Sequence, residues 1–283
     1  MRTFILGVGA QKSGTTWLSK QLGNAQNYVP GLMKEYHVFD TLHLGGAHQE
    51  ESKILKKLKN FSRDFDDDEL YRRCNIVKSF YESTENYYNF FDEILAENNS
   101  VTADITPIYA GLSNDVFLEI RKQFELRGIK VKIIFFMREP ITRIESAVKM
   151  GLRREGILRK VDSAFVLNKI TEQLNSPADM LRANYPVTSM KLESAFPTED
   201  IFYGFYETLF SVNEQTRLAH FLGLTPQVFD TSKKINSTPK LFSYNTKSIE
   251  NLRVRVENRY QFVADKFNFN LSIWDHELYK LCN

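Results

Sequence analysis

The chain has only two cysteines, Cys74 and Cys282, too few for a disulfide framework or a cysteine-built zinc site. That suits a reducing compartment. Neither charge sign dominates, with 37 Lys and Arg against 35 Asp and Glu, so the global basic field that would draw nucleic acid or a membrane surface is missing. Any anion site must be local. Long apolar runs are missing as well: the longest after the N-terminus, "VKIIFFM" at residues 131–137, is far too short to span a bilayer. The opening "MRTFILGVGA" has the look of a signal peptide, but its apolar run is short and passes directly into a glycine-containing segment that cleavage would damage. It reads as a buried first strand. His43, His48, His220 and His276 show no spacing that would hold a metal. No internal repeat or low-complexity linker divides the chain, and no feature specifies an oligomeric state. The expectation is a soluble, cytoplasmic protein of one domain, residues 1–283, with no membrane span, no nucleic-acid partner and no metal.

What is present is a core-forming composition. With 42% hydrophobic and 25% charged residues, the chain can bury the core of one large domain. Short apolar runs alternate with amphipathic helical patterns, the mark of an α/β fold with a central parallel sheet flanked by helices on both faces. Strands are expected at residues 3–9, 76–78, 101–104, 131–137 and 201–205, where Ile, Val and Phe recur as they do in buried parallel strands. Helices are expected at residues 15–22, 86–97, 114–127, 141–152, 208–222 and 248–267. Residues 42–73, with "KILKKLKN" ahead of the acidic "DFDDDE", fit a sheet least and are expected to be an insertion or to cover the site.

The stretch "GVGAQKSGTTWL", residues 7–18, lies at the end of the first strand. Strand, glycine-containing turn and helix start in that order bring successive backbone N–H groups and a helix N-terminus around one point, a cradle for an anion. A nucleoside triphosphatase loop would read G-x-x-x-x-G-K-[ST], with its lysine on the terminal phosphates and its hydroxyl on magnesium. Gly9 and Gly14 keep that separation, but Thr15 stands in the lysine's place and the loop's own lysine is Lys12. The cation is moved forward and the magnesium arrangement is lost. A plain strand–turn–helix joint, with Ser13 or Thr15 as a cap, is the alternative on the loop alone.

"QKSGTTWL" resembles the 5′-phosphosulfate loop of the sulfotransferases that use 3′-phosphoadenosine 5′-phosphosulfate (PAPS). After the 131–137 strand, "REPITRIESAVKM" is similar to that family's R-x-P-x-x-R-x-x-S segment, in which the first arginine and the serine hold the 3′-phosphate. Here those are Arg138 and Ser146. A planar guanidinium fork suits phosphate, and Pro140 is tolerated in a first helical turn. On its own the segment would be expected to pair Arg138 and Arg143 at the surface with Glu139 or Glu145; two motifs in order, each at a strand end, favour the phosphate reading. "MKEYHVFD", residues 33–40, resembles the K-E-x-x-F-F-D stretch of the heparan-type branch, in which a glutamate is the proposed general base. "ADITPIY" resembles the G-E-x-T/S-P-x-Y segment bordering the acceptor, although Ile105 stands where some glycan-sulfating relatives have lysine. "IFYGFYETLF" with "LAHFLGL", then "KKINST" and "NLSIW", are similar to the family's later patterns. The resemblance implies a P-loop-like sulfotransferase fold over nearly the whole chain, PAPS as cofactor, and sulfuryl transfer to a hydroxyl or amine of a small-molecule or glycan acceptor, a carbohydrate among the choices.

Within that resemblance Lys12 is expected at the bridging oxygen, where a flexible ammonium follows charge onto the leaving group. The N–H groups of Ser13, Gly14, Thr15 and Thr16 are expected on the 5′-phosphate, with their hydroxyls and Gln11 assisting, Arg138 and Ser146 on the 3′-phosphate, and Lys234, beside Lys233, closing over the cofactor. Glu35 is favoured as the base; His37 competes with it because an imidazole already titrates near neutrality. Glu35 and Asp104 are expected on the acceptor side. Trp17 is expected in the core, and the aromatic residues of "SFYESTENYYNFF" are expected to pack, with an acceptor groove as the other reading. Two rival functions stand beside this one: a small-molecule P-loop kinase needing ATP and magnesium, and a non-catalytic adenosine bisphosphate-binding protein.

Overall fold

A computed structural model of the chain describes residues 1–45, 51–61, 66–97, 100–225 and 241–282. Strand β1 (Arg2–Gly9) is buried along nearly its whole length, turning Phe4, Leu6 and Val8 to one helical layer and Ile5 to the other, the period of two that a strand imposes. Helix α1 (Thr15–Leu22) follows, then α2 (Val38–His43), α3 (Glu51–Phe61), α4 (Asp67–Glu82) and α5 (Thr84–Ile94) occupy the long connection to β2 (Val101–Ile105). Helix α6 (Asn114–Leu126) leads into β3 (Ile129–Met137). Helices α7 (Pro140–Arg154), α8 (Ser163–Gln173), α9 (Pro177–Ala183) and α10 (Tyr185–Ala195) precede β4 (Ile201–Phe205). The chain continues through α11 (Val212–Leu222), α12 (Thr246–Arg255), α13 (Glu257–Phe267) and α14 (Ser272–Tyr279).

Among the described residues the sheet has four strands in the order β2-β1-β3-β4, all parallel. Gly7 of β1 pairs with Ile105 of β2 and Ile134 of β3, and Met137 of β3 with Phe205 of β4. This register sets the carboxyl ends of neighbouring strands side by side. The larger core lies on the face covered by α5, α6, α7, α10 and α13, the smaller on the face covered by α1 and α11. No helix among the described residues is long and apolar enough to cross a membrane.

The strand expected at residues 76–78 is instead part of α4. Leu70, Cys74, Val77 and Tyr81 are buried at spacings of three and four, a helical period that outweighs a short apolar triplet. Asp66 starts that helix by accepting from the Glu69 N–H. The helix expected over 248–267 divides at Val256, whose φ of −123° leaves the helical range. The one expected from 208 begins only at Val212, where Ser211 accepts from the Glu214 N–H as its cap. Helices α8, α9, α10 and α14 were not anticipated.

Candidate active site

The chain passes from β1 to β2 on one side of β1, whereas β3 lies on the other side and is followed by β4 further out. In an open parallel sheet the crevice at the carboxyl ends of two such strands is where ligands bind. The loop after β1 and Arg138 after β3 both open onto it. The loop is pinned by the Ala10 N–H, which donates to the Phe136 carbonyl at 2.6 Å, and by the Gln11 N–H, which donates to Arg182 at 3.4 Å. Gly14 has φ 97°, and a Cβ there would come within 2.9 Å of the movable Leu209 Cδ2, so it is the left-handed backbone that calls for glycine. No side chain caps α1, which leaves its first-turn N–H groups facing outward as an anion site. The Ser13 N–H is already spent on the Ala10 carbonyl at 3.3 Å, so the cradle narrows to Gly14, Thr15 and Thr16.

Cations converge on this cradle. Arg138 Nη1 donates to the Lys12 carbonyl at 3.2 Å, tying the two strand ends together, and the guanidinium lies 4.4 Å from the Tyr206 ring centre. Lys12 reaches Met150 Sδ at 3.8 Å. Burial first, then the charges of Arg138, Arg153, Arg154 and Lys34, pull the Lys12 ammonium down to about 8. Such crowding of like charge costs energy unless an anion enters. Ser13 Oγ and Arg138 Nε are buried with no hydrogen-bond partner among the described residues, so both are free to meet a ligand's polar atoms. Ser146, Met150 and Arg153 share one face of α7 at spacings of four and three. Through Met150 that face meets Lys12, and Ser146 lies on its Arg138 side.

The segment after α1 supplies the opposite charge. The Lys34 carbonyl accepts from the Ile105 N–H at 2.9 Å, docking the segment on the end of β2. Glu35 takes a hydrogen bond from Lys34 at 2.6 Å and faces His37 Nε2 at 3.3 Å, while His37 Nδ1 faces Asp40 at 3.0 Å. Lys34 also reaches Thr15 Oγ1 at 3.4 Å, joining this chain of charges to the loop. Burial opposes the charge on Glu35, yet His37 and Lys34 hold its carboxyl at about 2. Burial likewise opposes an imidazolium, but Asp40 and Glu35 raise His37 to about 8. At neutral pH the free chain therefore holds a charged Glu35–His37 pair set between Lys34 and Asp40. His37 itself sits at φ 59°, an uncommon region for a non-glycine residue that a fixed surrounding must enforce.

That surrounding is Asp104. It is completely buried and accepts from the Tyr36 N–H, Thr106 Oγ1, Tyr87 OH and Tyr109 OH. Burial pushes its carboxyl up to about 6 against those donors. Its oxygens are taken up by these donors, and through the Tyr36 N–H it holds the 34–40 segment from behind. Most of the "SFYESTENYYNFF" aromatics are packing, with Phe80, Tyr81, Tyr87, Tyr88 and Phe91 all buried.

A pH effect follows from His37. Its raised value stabilises the fold fully below its ordinary 6.5, and the contribution disappears as pH rises through about 8, a difference of at most about 2 kcal/mol. Urea unfolding at pH 6 and pH 9 should show this loss in the native chain and not in His37→Asn. Equal pH slopes in the two would contradict it.

Arg138 is backed by buried acids. Glu139 is completely buried, caps α7 by accepting from the Ile141 and Thr142 N–H groups, and receives the Tyr260 hydroxyl. The Glu139 N–H donates to Glu207 at 2.9 Å, and Glu207 also accepts from Trp274 Nε1 at 2.9 Å. Burial pushes Glu207 up to about 7. The "YE" and "NLSIW" stretches thus meet behind the arginine. Arg143 takes neither expected partner: it is buried and, with Arg259, shares Asp179, fastening α7 to α9 and α13.

The structure therefore gathers Gln11, Lys12, Ser13, Gly14, Thr15, Thr16, Arg138, Ser146, Glu35 and His37 about one crevice. Trp17 is buried in the smaller core. Lys233, Lys234 and His48 lie outside the described residues. Lys34, adjacent to Glu35 in sequence, was missed; its signal was its place in the K-E pair of the motif. Among the described residues no group of three or more His, Cys, Asp or Glu could hold a metal ion.

The overall shape is similar to the crystal structure of a sulfotransferase from Alicyclobacillus acidocaldarius, with a TM-score of 0.59 at 18% identity, covering 97% of this chain and 99% of that one. It is also similar to the sulfotransferase domain from the curacin biosynthetic pathway, with a TM-score of 0.50 at 18% identity over 83% of this chain and 79% of that one. No family model and no curated protein matches the chain. The α/β fold with its parallel sheet is therefore the P-loop-like fold of sulfotransferases.

Proposed function

We infer that the chain is an enzyme that transfers a sulfuryl group from PAPS to a hydroxyl or amine of a small-molecule or glycan acceptor. The observation that supports this most is the pair of linked cations at two strand ends. Lys12 and Arg138 meet through one 3.2 Å hydrogen bond, beside a buried Ser13 hydroxyl and an Arg138 Nε that lack partners among the described residues. A ligand with phosphate groups at both ends satisfies each orphan, and leaving such atoms unpaired costs about 1–3 kcal/mol apiece. The residues present fit the cofactor.

PAPS, when bound, supplies the sulfuryl group and an adenosine bisphosphate leaving group. The N–H groups of Gly14, Thr15 and Thr16 would hold the 5′-phosphate, assisted by the Ser13 hydroxyl, while Arg138 and Ser146 would hold the 3′-phosphate. Lys12 would stabilise negative charge growing on the oxygen that leaves sulfur. Glu35 would take the proton from the acceptor atom, with His37 holding the carboxylate in place. The described part of residues 42–73, through α3, would border the acceptor side. A cytoplasmic, single-domain protein goes with this reading.

Calorimetric titration with 3′,5′-adenosine bisphosphate, against ATP plus magnesium, tests it. Selective binding of the bisphosphate is expected; preference for ATP would move the chain to the kinases, from which Thr15 in place of the loop lysine already separates it. Bisphosphate binding without sulfate transfer from labelled PAPS to any acceptor would favour a non-catalytic binding protein.

A further inference from the structure

The Lys12 ammonium has an uncommon neighbour. Its Nζ donates to Met150 Sδ at 3.8 Å, and no other side chain among the described residues accepts from it. A thioether sulfur is a weak acceptor, so the ammonium is steadied there without being captured. Burial, with the charges of Arg138, Arg153, Arg154 and Lys34 around it, leaves that ammonium at about 8, and a stronger acceptor beside it would be taken up readily. Met150 is only half-buried, one turn from Ser146 on the face of α7 that borders the crevice, and beside it Gly151 faces open space. A small oxidant can therefore approach it. The other methionines are placed differently: Met33 and Met137 are sealed in the core, Met1 and Met190 lie at the surface, and Met180 packs its sulfur on Arg259. Met150 is the one that touches the nucleotide loop.

We propose that Met150 is an oxidative modification site that controls Lys12, its sulfur taking one oxygen atom from a peroxide. The sulfur lone pair attacks a peroxide oxygen, the S–O bond forms as the O–O bond breaks, and the other oxygen leaves as water. Sulfur gives up two electrons and the peroxide receives them. The sulfoxide formed is polar, and its oxygen is a strong acceptor where the thioether was a weak one. The 3.8 Å gap to Lys12 Nζ lets an oxygen carried on that sulfur come within the usual hydrogen-bond distance, about 2.7–3.2 Å. Lys12 is then held on α7, with its charged form favoured, and no longer follows charge onto the leaving oxygen. Reductive repair of the sulfoxide releases it. The loss of function rests on the sulfotransferase reading, whereas the capture of Lys12 does not.

The test uses the full chain carrying Cys282→Ser, which removes the half-buried thiol as a second target while Cys74 stays buried, beside the same chain with Met150→Leu. Leucine matches methionine in volume but offers no sulfur. After treatment with hydrogen peroxide, mass spectrometry should find one added oxygen on Met150. Carbon-13 NMR of labelled lysine should show Lys12 titrating above its value of about 8 in the untreated chain. The 5′-phosphate of 3′,5′-adenosine bisphosphate carries the oxygen that leaves sulfur, so calorimetry should show the oxidised chain binding it about tenfold more weakly or worse, the scale of one charged hydrogen bond. Methionine sulfoxide reductase should restore that affinity, and peroxide-treated Met150→Leu should stay within about twofold of its own untreated affinity. Unmodified Met150 once Met1 and Met190 are oxidised, an unmoved Lys12 titration in the oxidised chain, or an equal loss in Met150→Leu would overturn the proposal. Failure of the untreated chain to bind the bisphosphate would instead remove the sulfotransferase reading, with the Lys12 titration still deciding whether Met150 captures the lysine.

Discussion

Glu35→Gln should lower the rate of sulfate transfer by roughly 10²–10⁴, the range expected for loss of a general base, and leave bisphosphate affinity within about twofold. The amide keeps the size of the carboxylate and can still accept from Lys34, so the row from the loop to Asp40 need not collapse. It cannot take a proton. In the free chain the carboxyl, held at about 2 by His37 and Lys34 against its burial, is a weak base. Lys34 is the link that can change this, because it donates to Thr15 Oγ1 on the loop as well as to Glu35. An anion in the cradle competes for that ammonium. The Glu35 carboxyl should therefore titrate higher in the bisphosphate complex than in the free chain, which carbon-13 NMR of labelled glutamate would read directly. His37→Asn removes another support of the charged form, so it should raise the acid limb of the rate profile and reduce the rate less than Glu35→Gln does. Full activity in Glu35→Gln with collapse in His37→Asn would exchange the roles of the two residues.

Much of this site was legible because its parts lie at strand ends that the sequence marks locally. The apolar run before Gly9 and the one before Arg138 fall in β1 and β3, which are adjacent, so two separate motifs could be joined without a map of the fold. The 201–205 strand was legible for the same reason. The misread 76–78 triplet shows the limit: Ile76 and Val77 favour a strand locally, whereas Leu70, Cys74 and Tyr81 decide for a helix over a longer span. Asp104 is a different failure. Its chemistry is set by Tyr36, Tyr87 and Tyr109, whose hydrogen bonds to it come from a loop, a helix and a turn, and no spacing in the sequence reveals that meeting. The burial of Arg143 with Asp179 and Arg259 depends on α9, which was not anticipated, and on α13, which the sequence read as continuous with α12.

Arg138→Ala should weaken 3′,5′-adenosine bisphosphate by one to two orders of magnitude or more, since each charged hydrogen bond it makes to phosphate is worth about 1.5–3 kcal/mol. The loss has two sources that can be separated. The guanidinium would meet the 3′-phosphate directly, and it also holds the Lys12 carbonyl at 3.2 Å while stacking on Tyr206, so its removal loosens the loop under the 5′-phosphate. Arg138→Lys keeps a charge but loses the planar fork, and should recover only part of the affinity. Adenosine 5′-phosphate, which lacks the 3′ group, separates the two sources: if the arginine acts only on the 3′-phosphate, this ligand should bind native and Arg138→Ala chains alike. A drop of severalfold with adenosine 5′-phosphate as well is expected here, because Arg138 ties β3 to the Lys12 loop. The buried pair behind it makes the folded state of the variant a fair comparison, since Glu139 and Glu207 hold the start of α7 through the Ile141, Thr142 and Trp274 hydrogen bonds without using the arginine side chain. Unchanged bisphosphate affinity in Arg138→Ala would remove Arg138 from the nucleotide site and, with it, the two-ended anion site on which the sulfotransferase reading stands.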